Sequence, residues 1–99
     1  MSSGLERAIG RVVEGTRHWS PARWRSGADA MHGLVQALAD LAADVEGRER
    51  RPVPRLPNDL SLPDQLQVVG LDLIELEPLR AEDEARAAAA LAAARAALF

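Results

Sequence analysis

The chain is 99 residues long, which is room for one domain, since autonomous domains run from about 50 to 250 residues. It contains no cysteine, so disulfides and thiolate metal sites are excluded. A formal charge of −3 leaves no excess of positive charge to pair with phosphates, so nonspecific nucleic-acid binding is disfavoured for the chain as a whole.

Hydrophobic residues make up 47% of the sequence, but 19 residues are alanine. An alanine methyl contributes about 0.8 kcal/mol on burial, against roughly 1.5–3 kcal/mol for a larger apolar side chain, so composition overstates the core this chain can build. All 12 basic residues are arginine, and the absence of lysine beside so much alanine is read as the coding bias of a G- and C-rich bacterial genome rather than as chemistry. Residues 1–57 hold nine arginines and seven acids, a balance of +2, whereas residues 58–99 hold three arginines and eight acids, a balance of −5. Such asymmetry suits docking of one half on the other, within a chain or between two copies. No stretch approaches the roughly 18–20 apolar residues of a membrane span, and the opening residues Met1 to Arg7 lack the basic flank and apolar core of a signal peptide. The expectation is a soluble cytoplasmic protein with no membrane contact.

The first element opens on Ser3-Gly4-Leu5-Glu6, a capping box in which the Ser3 side chain accepts from the Glu6 amide. Leu5, Ala8, Ile9, Val12, Val13 and Thr16 recur at helical spacing, predicting a helix over 4–17. Gly10 and Gly15 weaken it by about 1 kcal/mol each relative to alanine, so tertiary contacts must hold it. Trp19-Ser20-Pro21 ends this helix and caps the next, because serine is a good N-cap and proline costs nothing at the first helical position. Trp24, Ala28, Met31, Val35, Leu38, Ala42 and Val45 then alternate steps of four and three, a heptad seam flanked by Leu34 and Leu41. This predicts a helix over 21–46 ending at Gly47, with a second reading that breaks and recaps it at Ser26-Gly27.

Residues 48–60 carry three prolines in six positions and are predicted as an extended linker along the bundle. Ser61-Leu62-Pro63 repeats the capping signature, and Leu62, Leu66, Val69, Leu73 and Leu76 again step by four and three, predicting a helix over 62–76. A short alternation within Gln67 to Leu76 could be strand, but no second strand candidate exists to pair with it. Glu77-Pro78 stops that helix. The last, over 80–98, begins with Glu82-Asp83-Glu84 where a helix dipole favours negative charge, and Glu82 and Arg86 form an i, i+4 pair. Eleven of the 19 alanines fall in residues 81–97, leaving Leu91 as the bulky residue of that stretch. This helix over 80–99 either packs closely or waits for a partner.

Few constellations carry chemistry. Glu14 with His18, and Asp29 with His32, have the spacing of carboxylate and histidine ligands in bundle metal sites, but the faces diverge, and first-shell ligands must converge on one point. The serines sit in capping sequences or at the terminus, so no nucleophile stands out. The acids at 82–84 complement a helix dipole rather than form a buried acid/base pair. Arg51-Pro-Val-Pro-Arg-Leu-Pro57 fits a peptide that aromatic-grooved domains bind, though a stiff linker explains it as well. No catalytic residue, cofactor or metal site is assigned.

The sequence therefore reads as a single all-α domain over 1–99, a three- to four-helix bundle with sequential helices antiparallel across short links. Its leading function is a small non-enzymatic interaction module, acting by homodimerisation or as an adaptor or regulatory partner of another protein. Trp24, Met31, Leu34, Val35, Leu38 and Leu41, with Leu66, Val69, Leu73 and Leu76, form the seams that pack internally or across an interface. One alternative is a nucleic-acid-binding regulator that uses Arg17, Arg23 and Arg25 in the arginine and tryptophan cluster at 17–26. Another is a bundle binding a small ligand in a pocket lined by Trp19 and Trp24.

Overall fold

The computed structural model describes residues 3–99, and its described residues form helices and connections with no strand. Helix α1 spans Gly4–Thr16, α2 Pro21–Glu46, α3 Leu62–Ile74 and α4 Ala81–Leu98. The side chain of Ser3 accepts from the Glu6 amide at 3.0 Å, and that of Ser20 from the Arg23 amide at 3.3 Å, so two helices start where their caps predict. Helix α2 runs unbroken through Ser26-Gly27, because the Ser26 hydroxyl donates to the Arg23 carbonyl (3.1 Å) instead of capping a new start. Gly47 ends it in the left-handed conformation, φ 70°. Helix α3 stops at Ile74, short of the predicted Leu76, because the amides of Leu76 and Glu77 turn back to Leu73 and Ile74 in a tighter coil ahead of Pro78.

At 26 residues, α2 is the strut of the molecule, about 39 Å long. Its stripe from Trp24 to Ala42 is buried, with α3 packed along one flank and α4 along the other. Val45, placed on the seam by its spacing, is instead exposed with the rest of the last turn. Helix α1 lies across α3 and α4.

The neighbour relations differ from the predicted ones. The two pairs joined by short links do not pack together: the backbones of α1 and α2 do not come into contact, nor do those of α3 and α4, whereas α2 and α3, joined by the long linker, do. Trp19 explains the first separation. Its indole sits in the corner between the two helices, 4.8 Å from the Trp24 ring and 5.8 Å from Phe99, and it approaches Gly27 so closely that a Cβ there would lie 2.8 Å from the ring. The connection over 75–80 separates the second pair by packing Leu76 and Leu79 of its own against the core.

Helix α4 is a packed element despite its composition. Ala87, Leu91, Ala94 and Leu98 step by four, three and four and are all buried, so two alanines occupy places where larger side chains would hold the helix away from its neighbours. A second close approach, between α1 and α3, occurs at Gly70, where a Cβ would stand 2.9 Å from Ile9 Cγ2. Gly10, by contrast, faces open space. Gly10→Ala is therefore expected to raise stability by up to about 1 kcal/mol and Gly70→Ala to lower it, the latter through a stiff β-branched neighbour. Leu38→Ala, at a fully buried site, is expected to cost about 2–5 kcal/mol. Urea unfolding followed by circular dichroism checks all three.

Candidate functional site

The residues singled out as seams are mostly internal. Trp24, Met31, Leu34, Val35, Leu38, Leu41, Leu66 and Leu73 belong to one buried cluster, and Val69 and Leu76 pack half-buried against it. Any surface available to a partner must come from elsewhere.

The arginine and tryptophan cluster at 17–26 is divided among different contacts. Arg17 pairs with Glu14 at 3.3 Å and Asp64 at 3.9 Å, and donates to Gln67. Arg23 lies over the Trp19 ring, 4.4 Å from its centroid, where the positive charge is drawn to the ring face. Arg25 borders an open cleft of about 400 Å³ with Pro21, Trp24 and residues 57–60. The cleft takes in Trp24 but not Trp19. The indole N–H of Trp24 has no partner and is enclosed by the protein rather than presented to the cleft.

Acids are interspersed among the other arginines. Arg48 pairs with Glu46 at 2.8 Å, Arg50 with Asp44 at 2.7 Å and Arg55 with Asp29 at 3.0 Å. Each of these three arginines is thus offset by a neighbouring carboxylate. Arg86, which the spacing pairs with Glu82, reaches Asp44 at 2.9 Å instead, while Glu82 sits 3.5 Å from Arg80. Asp44 thus receives two guanidinium groups. The hydrogen bond from Arg50, then that from Arg86, hold its carboxyl well below the ordinary carboxylate range. A depressed folded-state value means that the contribution is present above the unfolded value near 4 and fades as pH falls below it. Asp44→Asn is expected to lower the melting temperature at pH 7, with the gap from the parent narrowing steadily from pH 4 to pH 2. A gap unchanged over that range would show that Asp44 acts through something other than its charge.

The histidines do not converge with the nearby acids. Glu14 and His18 are exposed. Asp29 is taken by Arg55, and the Nε2–H of His32 donates to the Val53 carbonyl at 3.0 Å. Among the described residues no group of three potential ligands is placed to hold a metal ion. The Val53 bond belongs to a clasp that the spacing of hydrophobic residues did not reveal. Gln36 accepts from the Val53 amide at 2.7 Å and donates to the Arg51 carbonyl at 3.1 Å, and Gln65 donates to the Pro54 carbonyl at 3.0 Å. The proline-rich segment is strapped to α2 and α3 by its backbone, the part that a peptide-binding groove would need.

Among the described residues the large apolar side chains left exposed are Val45, Leu56, Leu60, Val68, Leu71 and Phe99, and of these Val68 and Leu71 lie one turn apart on α3. Val68 and Leu71, 61% and 48% exposed, stand on the outer face of α3. Beside them runs a cleft of about 270 Å³ between α1 and α3, lined by Ile9, Gly10, Val13, Leu71 and Ile74, with Glu6, Arg7, Glu14 and Gln67 at its rim. Phe99 is more than half exposed as well, but its ring is engaged by Trp19 and Gly15. No helix of the described residues is long and apolar enough to cross a membrane. No protein family matches this chain, and no curated protein or solved structure is similar to it.

Proposed function

We propose that this is a small non-enzymatic helical interaction module that docks a protein partner on the face formed by α1 and α3. The observation that carries the reading is Val68 and Leu71, two large apolar side chains exposed one turn apart beside a cleft with an apolar floor. Single exposed hydrophobic residues are ordinary, whereas a contiguous patch rimmed by polar groups marks an interaction surface. A role without catalysis is supported by what the nucleophiles do: Ser3 and Ser20 cap helices, and the hydroxyls of Ser26 and Ser61 donate to backbone carbonyls. The ion pairs that neutralise Arg17, Arg48, Arg50 and Arg55 favour this reading over a nucleic-acid regulator. A cytoplasmic setting in a bacterium accords with the arginine-only, cysteine-free composition.

Photo-crosslinking tests the face. Benzoylphenylalanine placed at Val68, and at exposed Ala89 on α4 as a control, is irradiated in cells expressing the full chain. A discrete protein adduct from position 68 and none from 89 is the expected outcome. Equal adducts from both, or none from 68, would sink the proposal.

A further inference from the structure

The strap over residues 51–54 is held as a separate peptide would be held. Its bonds run from helix side chains to its backbone: His32 and Gln36 of α2 take the Val53 carbonyl and amide, Gln36 also takes the Arg51 carbonyl, and Gln65 of α3 takes the Pro54 carbonyl. None of these bonds reads a strap side chain. Of residues 51–54 Val53 alone is not exposed, and it packs half-buried against the core. A cleft of about 230 Å³ remains between this segment and Ala39, Ala42 and Val69, so the strap leaves its groove partly unfilled. Helices α2 and α3 pack directly on each other, which keeps the three polar side chains aligned whether or not a segment lies across them.

One bond is missing from the set. The Oε1 atom of Gln65 is enclosed by the protein and has no partner, although Nε2 of the same amide is bonded to Pro54. In an extended chain the N–H and C=O of one residue point to the same side, as they do where paired strands exchange both bonds between two residues. A side-chain amide beside such a residue can donate to its carbonyl and accept from its N–H, much as Gln36 does here with Arg51 and Val53. Proline at 54 offers the carbonyl but has no N–H. The strap is thus an incomplete ligand for its own groove, and a buried acceptor left without a donor is costly.

We infer that the groove between α2 and α3 is a recognition site for an extended segment of a protein partner, which takes the place of residues 51–54. The segment carries an aliphatic residue where Val53 lies and, next to it, a residue other than proline whose N–H completes the pair at Gln65. It has to displace a tethered competitor whose effective concentration is in the millimolar range, so the added bond is what gives the incoming chain its advantage. The site is distinct from the α1–α3 face and does not depend on it.

Two measurements test this. In the full chain, Pro52→Gly, Val53→Ser and Pro54→Gly together open the groove, with circular dichroism showing that helix content is kept. Labelled peptides of residues 50–56 with proline, alanine or N-methylalanine in the place of Pro54 are titrated by fluorescence anisotropy to about 1 mM, the range in which the tethered strap competes. The alanine peptide is expected to bind roughly two- to tenfold more tightly than the other two, the net effect of one hydrogen bond, and N-methylalanine separates the N–H from the proline ring. Gln65→Leu is expected to erase that difference, and the parent chain to bind all three peptides more weakly than the opened one. The second measurement needs no opened groove: in the full-length Pro54→Ala variant, hydrogen exchange of the amide at position 54 is expected to be slowed, and to return to the free rate when Gln65→Leu is added. If the opened chain loses its helices, the exchange measurement decides alone. A folded, opened chain that binds no peptide, an alanine peptide bound no better than the other two, or an unprotected amide at position 54 overturns the inference.

Discussion

The rest of the structure depends on the width of the buried stripe on α2. A strict heptad seam needs one neighbour, but Leu34 and Leu41 broaden this one beyond what a single helix covers. Two helices must flank it, and the chain supplies α3 on one side and α4 on the other. The alanine content that appears to dilute the core is what lets α4 take its place, since Ala87 and Ala94 sit at the contact and allow close packing around Leu91 and Leu98. Low bulk on one helix and surplus width on another are two sides of one fit.

With α2 covered from both sides, α1 is left to close the molecule across α3 and α4, and this choice creates the exposed face. Had α1 paired with α2, α3 would have kept a different flank open. Instead Ile9 presses on Gly70, the cleft opens just outside that contact, and Val68 and Leu71 remain on the surface beside it. Function in this protein is thus proposed from what the core left uncovered, not from the strongest pattern in the sequence. The long seam is the most legible feature of the chain, and it is spent on the chain's own interior.

Polar contacts follow a similar logic. The linker is held by backbone bonds to His32, Gln36 and Gln65, each on a helix at a place open to the strap. Arg86 passes over its near neighbour Glu82 for Asp44, a carboxylate that Arg50 already fixes, so the last helix is tied to the end of α2. Exposed pairs of this kind contribute little singly, and their value here is in fixing which surfaces lie beside one another.

The sequence by itself determined the helices and nearly all their ends, because caps, prolines and apolar period act within a few residues of one another. Ser3, Ser20, Pro21 and Gly47 do locally what their types dictate. It also marked which residues are buried, since Trp24, Met31, Leu38, Leu66 and Leu73 fall on stripes that some neighbour must cover. Which neighbour was decided only by tertiary structure. Trp19 against Gly27 and Ile9 against Gly70 are meetings of one large and one absent side chain. No spacing rule encodes them, because the partners find each other through shape. The open face on α1 and α3 inherits that origin, being defined by which contacts were made elsewhere.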